Sequence, residues 1–493
     1  MLLRPEPSTG GALPHRVEGA RLAGALAAGA GALLVGASAA TGHGAQVGGI
    51  LVVLIFCGIA VATYLKEPLT AFIGLWLLIV FTSPLSAVLG YQSGTGEAVR
   101  QVDEVLVFLF VLLTLRRTLL SNAPWPPLRY VAAAAGVAVF GVISAIVHGV
   151  PTSTMLVGAV LGLKLWIMVI VTLMLPWKRS DGNRVYVALM SVGVLVAVLG
   201  LVDYATHGAI SRSFHTSNYN VGMGAFRSEA VHSIFPTPGE YSLFMSLLFA
   251  VSFSRFASQV RRQDLLLAVL FAASIVLSLR LKGFLSLAVV IAIVGVAQGA
   301  TSARRTVIVL LLGSLVIVGA YVFEKGVVEK QVTTYSSSES SPRSRLYRTG
   351  EKIAATNFPL GVGFGRYASY PSRTSYSPVY YQYRLNDVYG LSPEYPAFID
   401  DTSWPSVMGE TGYGGFACYL VGLVMLAWAV VRRLPRYGHR YGWLPLSALC
   451  MIAAVLVDSL GDPTLFSWLA AATLALILGP ALSRDDQPMK ARR

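Results

Sequence analysis

The chain of 493 residues carries 38 Lys and Arg against 24 Asp and Glu, a net charge of +14, yet only 13% of its residues are charged and 55% are hydrophobic. With a mean hydropathy of +0.64, that balance excludes an ordinary water-soluble domain. Apolar residues recur in runs of roughly 17–25, the length a helix needs to cross a bilayer, so the class is a polytopic membrane protein.

Taken in chain order, a polar stretch, 1–21, precedes the first apolar run. No small-residue cleavage site follows it, and the run reads as a retained helix rather than a signal peptide. Fourteen candidate spans lie near 22–41, 47–64, 68–89, 104–115, 130–148, 154–176, 185–206, 239–256, 265–279, 283–299, 306–323, 404–431, 442–459 and 464–481. The expected fold is all-α, with about 14 transmembrane helices (12–14) and one large extracytoplasmic loop containing short helices. It divides into a helical scaffold, 1–323, with an external connection at 207–238, then the loop, 324–403, then C-terminal helices and a cytoplasmic tail, 404–493. Cys57, Cys418 and Cys450 all fall inside apolar runs and read as small core residues rather than a disulfide framework or a metal site.

Basic residues orient the spans, because Lys and Arg accumulate on cytoplasmic connections. Arg116, Arg117 and Arg129, Lys178, Arg179 and Arg184, Arg261 and Arg262, Arg304 and Arg305, and Arg432 to Arg440 fall on alternate connections. Both termini are expected in the cytoplasm, and the positive balance reflects orientation rather than a nucleic-acid partner. Cations on the other face oppose this bias and need another reason. They are Arg212 and Arg227 in the external connection, Arg280 and Lys282 in a tight turn, and Arg343, Arg345, Arg348, Lys352, Arg366, Arg373 and Arg384 in the long loop. Gathered at one interface, they suit a multiply charged anion such as a lipid-linked diphosphate, whose oxygens match the Arg fork. The alternative is that each pairs with a loop carboxylate and solvates the surface.

The order of motifs resembles the O-antigen ligase and polymerase superfamily, the Wzy- and WaaL-like enzymes. The matching residues are Arg227 in Phe-Arg-Ser-Glu-Ala, Arg280 in Leu-Ser-Leu-Arg-Leu-Lys-Gly, Arg345 in Ser-Arg-Leu-Tyr-Arg, Pro359 to Gly365 in Pro-Leu-Gly-Val-Gly-Phe-Gly, and Glu410-Thr-Gly412. They cover roughly 200–430. The resemblance implies a bacterial plasma-membrane enzyme working on the extracytoplasmic side, with an undecaprenyl-diphosphate-linked oligosaccharide as donor, a glycan acceptor, membrane lipids around it, and a chain-length regulator or flippase as a partner. Ligases of this kind usually carry His about nine residues before Glu-x-Gly. Asp401 stands there in this chain, which is more like the polymerases.

Chemistry outside the cytosol has no nucleotide sugars, so the donor arrives activated on a lipid. Departure of diphosphate needs positive charge aimed where negative charge develops. Arg227, Arg345, Arg280, Lys282, Arg343 and Arg348 are the candidates, with no metal and no cofactor expected. An acceptor hydroxyl needs a base. Asp401 is the first choice, with Asp400 and His232 in reserve, and a helix N-cap is the bland alternative for Asp401. Lys164, mid-span, reads as a partner of Asp203 or Asp458 or as a contact for the carrier phosphate. Glu410 reads as orienting Arg345 or the base, or as a packing residue. Gly361, Gly363 and Gly365 resemble a phosphate cradle weakly and more naturally let the loop turn tightly against the membrane surface. The loop tyrosines suit sugar stacking or the interfacial belt. Taken together, these features describe a glycosyltransferase that moves a growing glycan from its lipid diphosphate onto a lipid-linked repeat unit. The alternatives are a ligase acting on a lipid, peptidoglycan or protein acceptor, and a flippase, which the scarcity of intramembrane charge argues against.

Overall fold

The computed structural model describes residues 57–88, 102–121, 125–214, 220–223, 226–299, 341–434 and 441–483. The expected spans 22–41 and 306–323, and the part of the loop before 341, lie outside the described residues. The chain divides into two units, 1–116 and 117–493. The first contains α1 (Cys57–Lys66), α2 (Pro68–Val88) and most of α3 (Val102–Leu120). Its core is aromatic: Phe110 lies edge-on to Tyr64 at 5.0 Å and against Phe72 at 5.4 Å, and the Tyr64 hydroxyl donates to Thr114 Oγ1 at 3.1 Å.

The second unit is a helical bundle of α4 (Leu128–Val147), α5 (Thr152–Met174), α6 (Asp181–Ala205), the short α7 (Ala209–Phe214), α8 (Pro238–Gln259), α9 (Arg262–Leu277) and α10 (Leu281–Gly299). After the undescribed stretch come α11 (Pro342–Thr356), α12 (Tyr370–Thr374), α13 (Pro378–Gln382), α14 (Trp404–Val431), α15 (Trp443–Ser459) and α16 (Trp468–Ala481). Everything described is helical or loop except one antiparallel ribbon, β1 (Asn220–Met223) on β2 (Phe226–Glu229). Among the described residues, six helices are long and apolar enough to cross a membrane: α2, α4, α5, α6, α8 and α14.

Of these six, α8 has the lowest mean hydropathy and is almost wholly buried. The two facts have one cause. A helix enclosed by other helices has no lipid to satisfy, so it tolerates Ser246 and Ser252, whose hydroxyls donate back to the Ser242 and Leu248 carbonyls at 2.8 and 3.0 Å. At its C-terminal end Arg255 is held by Asp264 at 3.9 Å and lies over the Tyr186 ring. That arrangement neutralises a charge that burial would otherwise make costly.

Helix α14 is not continuous. Gly412 sits at φ 68°, ψ −172°, a region open almost only to glycine. An unbroken helix would pair the Gly409 and Glu410 carbonyls with amides four residues on. Here those carbonyls accept from the loop instead: Val362 N–H bonds Gly409 O and Gly363 N–H bonds Glu410 O, each at 2.9 Å, while Gly414 N–H donates to Pro359 O at 3.0 Å. The segment 359–365 therefore supplies new partners for both freed carbonyls and for the Gly414 amide. Its other side lies on α4 and α5, where Gly361 N–H donates to Ser144 Oγ at 3.0 Å and the Phe364 ring fills the space that a side chain at Gly141 would need. What remains of α14 beyond the break, 413–431, is about 28 Å long, close to the hydrocarbon thickness of a bilayer.

Residues 341–403 form a cap with its own core, including Leu346, Ile353, Tyr367, Tyr380, Leu391 and Ile399, all fully or almost fully buried. Its helices start where the sequence signals starts. Ser341 accepts from Ser344 N–H with Pro342 following, Ser377 accepts from Val379 N–H with Pro378 following, and Ser369 precedes Tyr370-Pro371 in a capping box.

A side chain at Gly412 collides with the Leu360 backbone and strains φ as well. Gly412→Ala is expected to destabilise the protein by at least roughly 1–3 kcal/mol, whereas Gly74→Ala, with open space around it, should not. Thermal unfolding in detergent checks this, and equal midpoints for the two variants would refute the account of the break.

Candidate functional site

Several chain segments deliver polar groups to one end of the second unit: the C-termini of α4 and α15, the N-termini of α5, α8, α10 and α14, and the cap. The turn after α15 ties them together. Lys282, at the start of α10, forms ion pairs with Asp458 at 3.6 Å and with Asp462. Thr464 Oγ1 donates to Asp458 at 2.5 Å. Ser403 Oγ donates to Asp462 O at 2.8 Å, the Trp404 indole to Ser459 Oγ at 2.9 Å, and the Tyr347 hydroxyl to Leu460 O at 2.9 Å. The start of α14, the cap helix α11 and the Lys282 turn are thus fixed against one another.

On this platform Arg343 Nη2 binds Asp401 Oδ2 at 2.5 Å, both side chains being about a third exposed. Next to it Arg373 Nη1 binds Asp400 Oδ1 at 3.1 Å. Burial pushes the Asp400 carboxyl above its ordinary 3.8, and Arg373 opposes the rise. The N-cap position of α14 is Ser403, not Asp401, so the helix-cap alternative for Asp401 is corrected. Its carboxylate sits three residues outside the helix, engaged by Arg343. Among the described residues, Asp401 Oδ1 is left for another donor.

Helical phase explains which arginine of α11 meets Asp401. Leu346, Gly350, Ile353 and Ala354 define the buried face of that helix. At 100° per residue, Arg343 falls on the edge of that face near its start, whereas Arg345 and Arg348 fall opposite and are exposed. The motif residue Arg345 therefore does not meet Asp401, and Arg343 does. Arg280 occupies the turn between α9 and α10, two residues from Lys282, half-buried. Arg227 lies on β2 opposite Gly222. His232 is buried, its Nδ1 bonded to Phe235 O at 2.7 Å, in a segment joined to the end of α9 by Val231 N–H on Leu277 O at 3.1 Å.

Glu410 is the largest departure from expectation. Its buried side chain accepts from Tyr367 N–H at 3.2 Å and from the Ser369 hydroxyl at 2.6 Å. It therefore orients neither Arg345 nor Asp401. The glycine-rich turn has few amides left for a phosphate, because Gly361 N–H is bound to Ser144 Oγ and Val362 and Gly363 N–H are bound to the backbone carbonyls of Gly409 and Glu410. The turn also packs into the broken helix. Lys164 is likewise reassigned. Its ammonium lies over the Trp468 ring at 4.8 Å, while Asp203 holds Ser211 and Ser233 N–H, and Asp458 holds Lys282. Tyr367 and Tyr380 are core residues of the cap, whereas Tyr370, Tyr381, Tyr389 and Tyr395 are exposed. Sequence reasoning missed Asp462, although Gly461-Asp462-Pro463 between two apolar runs is a turn signal that marks it.

No family model matches the chain, and no curated protein is significantly similar to it in sequence.

Removing the Glu410 carboxylate strands several buried donors, each worth about 1–3 kcal/mol when left unmade. Glu410→Ala should therefore lower the unfolding midpoint and expose the cap to protease. Glu410→Gln should fall between, since it keeps one acceptor oxygen but brings two N–H donors into a ring of donors. An alanine variant with unchanged stability would remove Glu410 from its anchoring role.

Proposed function

We propose that the protein is a membrane-embedded glycosyltransferase that elongates an extracytoplasmic polysaccharide, moving a growing glycan from its undecaprenyl diphosphate onto a lipid-linked repeat unit. The observation that carries this reading is the Arg343–Asp401 pair, seated on the platform that also holds Lys282. A carboxylate with one oxygen engaged by a guanidinium and the other open suits an acceptor hydroxyl on one side and a departing anion on the other. In this scheme the acceptor oxygen attacks the anomeric carbon, the bond to the diphosphate oxygen breaks, and the hydroxyl proton passes to Asp401. The charge that develops on the diphosphate is met by Arg343, Arg280 and Lys282, with Arg345, Arg348 and Arg227 receiving the rest of the headgroup. Diphosphate competes with Asp401 for Arg343, so donor binding itself frees the base. The plasma membrane, with the cap on its outer face and both termini inside, is the location that this chemistry requires.

The test is release of undecaprenyl diphosphate from a lipid-linked glycan by the purified protein. Asp401→Asn should retain the fold and slow transfer about 10²-fold or more, and Arg343→Ala should cost on the order of 10²–10³. Because the pair is substantially exposed, its contribution to stability should be below about 1 kcal/mol in a double-mutant cycle. Normal carrier release by both variants would sink the assignment. Glycan translocation without bond cleavage would point to a flippase, and transfer to a non-carrier acceptor to a ligase.

Orientation has a separate check. In a background lacking Cys57, Cys418 and Cys450, a cysteine replacing the exposed Tyr389 should react with impermeant maleimide in intact cells, and one replacing the exposed Val260 should not. The opposite pattern would invert the topology.

A further inference from the structure

At the other end of the second unit, where α4 begins and α5, α14 and α16 end, lies a cavity of about 420 Å³. It is lined by three arginines, Arg129, Arg432 and Arg433, and by Trp177, Trp428 and Leu482 among others. Among the described residues, none that lines it is acidic. Arg129 lies over the Tyr130 ring at 4.8 Å and donates to its hydroxyl at 3.0 Å, and Arg432 lies over the Trp428 ring at 4.9 Å. Arg433 Nη1 donates to Ser483 O at 3.0 Å, meeting a carbonyl at the end of α16. Guanidinium groups stacked on rings are held in place while their N–H edges stay free to meet an anion.

The route into the cavity identifies the occupant. On α14 the exposed residues Leu420, Val424, Trp428 and Arg432 recur every fourth position, so an apolar stripe one helix face wide ends in a guanidinium. A hydrocarbon chain lying along that stripe brings its headgroup to the arginines. We propose that the cavity binds the phosphate of an anionic phospholipid, with an acyl chain running along the Leu420–Trp428 face of α14. Its volume is in the range of ordinary small-ligand sites, enough for a glycerophosphate headgroup. A soluble phosphate would satisfy the same guanidiniums but has no use for the stripe. The site is independent of the transfer chemistry at the opposite end, and its test does not read that activity.

The experiment is native mass spectrometry of the delipidated full-length protein titrated with phosphatidylglycerol, phosphatidylcholine or inorganic phosphate, with thermal unfolding measured in parallel. Wild type should retain phosphatidylglycerol over phosphatidylcholine by on the order of tenfold, and Arg432→Gln should cut that preference about fivefold, the share of one guanidinium near a membrane surface. Arg129→Gln/Arg432→Gln/Arg433→Gln together should abolish it. Arg432→Lys keeps the charge and should retain part of the preference. If the triple variant does not fold, the single variants still decide the question. Arg261→Gln removes an exposed charge outside the cavity and should leave the preference unchanged. The proposal is overturned if wild type shows no anionic preference, if Arg261→Gln loses as much as Arg432→Gln, or if inorganic phosphate stabilises the protein as much as phosphatidylglycerol does.

Discussion

The second unit is organised around an exchange of backbone hydrogen bonds at Gly412. A helix cannot be opened inside a packed or lipid-facing environment unless every freed donor and acceptor finds a new partner, because each unmet group is expensive there. The loop 359–365 supplies the partners for Gly409 O, Glu410 O and Gly414 N–H. Each side of the exchange needs the other. Without the break the loop has no carbonyls to bind, and without the loop the break leaves orphan groups.

From this exchange follows the placement of everything polar. The loop leads into the cap, so its anchoring to α14, α4 and α5 fixes where the cap sits, and Glu410 adds a second clamp by accepting from the residues just after the glycines. The first two turns of α14, ahead of Gly412, carry Ser403 and Trp404, which hold the turn around Asp462. That turn holds Lys282. Asp401, two residues before Ser403, is thereby set beside the start of α11, where Arg343 meets it. The proposed base and its cationic partner therefore belong to different elements whose relation is set by backbone bonding rather than by their own attraction, which is weak at such exposure.

The two ends of the bundle differ in how they carry charge. At the cap end, cations are matched by carboxylates: Lys282 with Asp458 and Asp462, Arg343 with Asp401, Arg373 with Asp400. In the proposed function, a substrate anion there would have to displace or share an internal partner, which would couple binding to freeing of a carboxylate. At the other end Arg129 and Arg432 rest on aromatic rings, with no acidic residue among the described residues of the cavity lining.

Local signals settled much of this in advance. Apolar run length marked the helices, because burial in lipid demands it wherever a helix faces outward, and twelve of the fourteen predicted segments coincide with described helices or parts of them. Short helices were expected in the loop, and their Ser-Pro and Ser-x-Pro starts are local signals too, because caps and proline act within one turn. The bunching of cations in a few connections was equally readable. What only tertiary structure decided depends on pairing between distant residues. Glu-x-Gly looked like a site motif, yet its glutamate clamps the residues that follow the glycine turn and its glycine opens the helix to receive the loop. Arg345 and Arg343 were both read as diphosphate contacts, but helical phase turns Arg345 outward and brings Arg343 to Asp401. Lys164, read as a partner of Asp203 or Asp458 or as a contact for the carrier phosphate, lies over Trp468. A sequence shows which residues carry charge and which can bend, since these are properties of single residues and short windows. Which charge meets which, and which backbone group replaces a broken helical bond, depends on contacts between segments tens to hundreds of residues apart, and those exist only once the helices have packed.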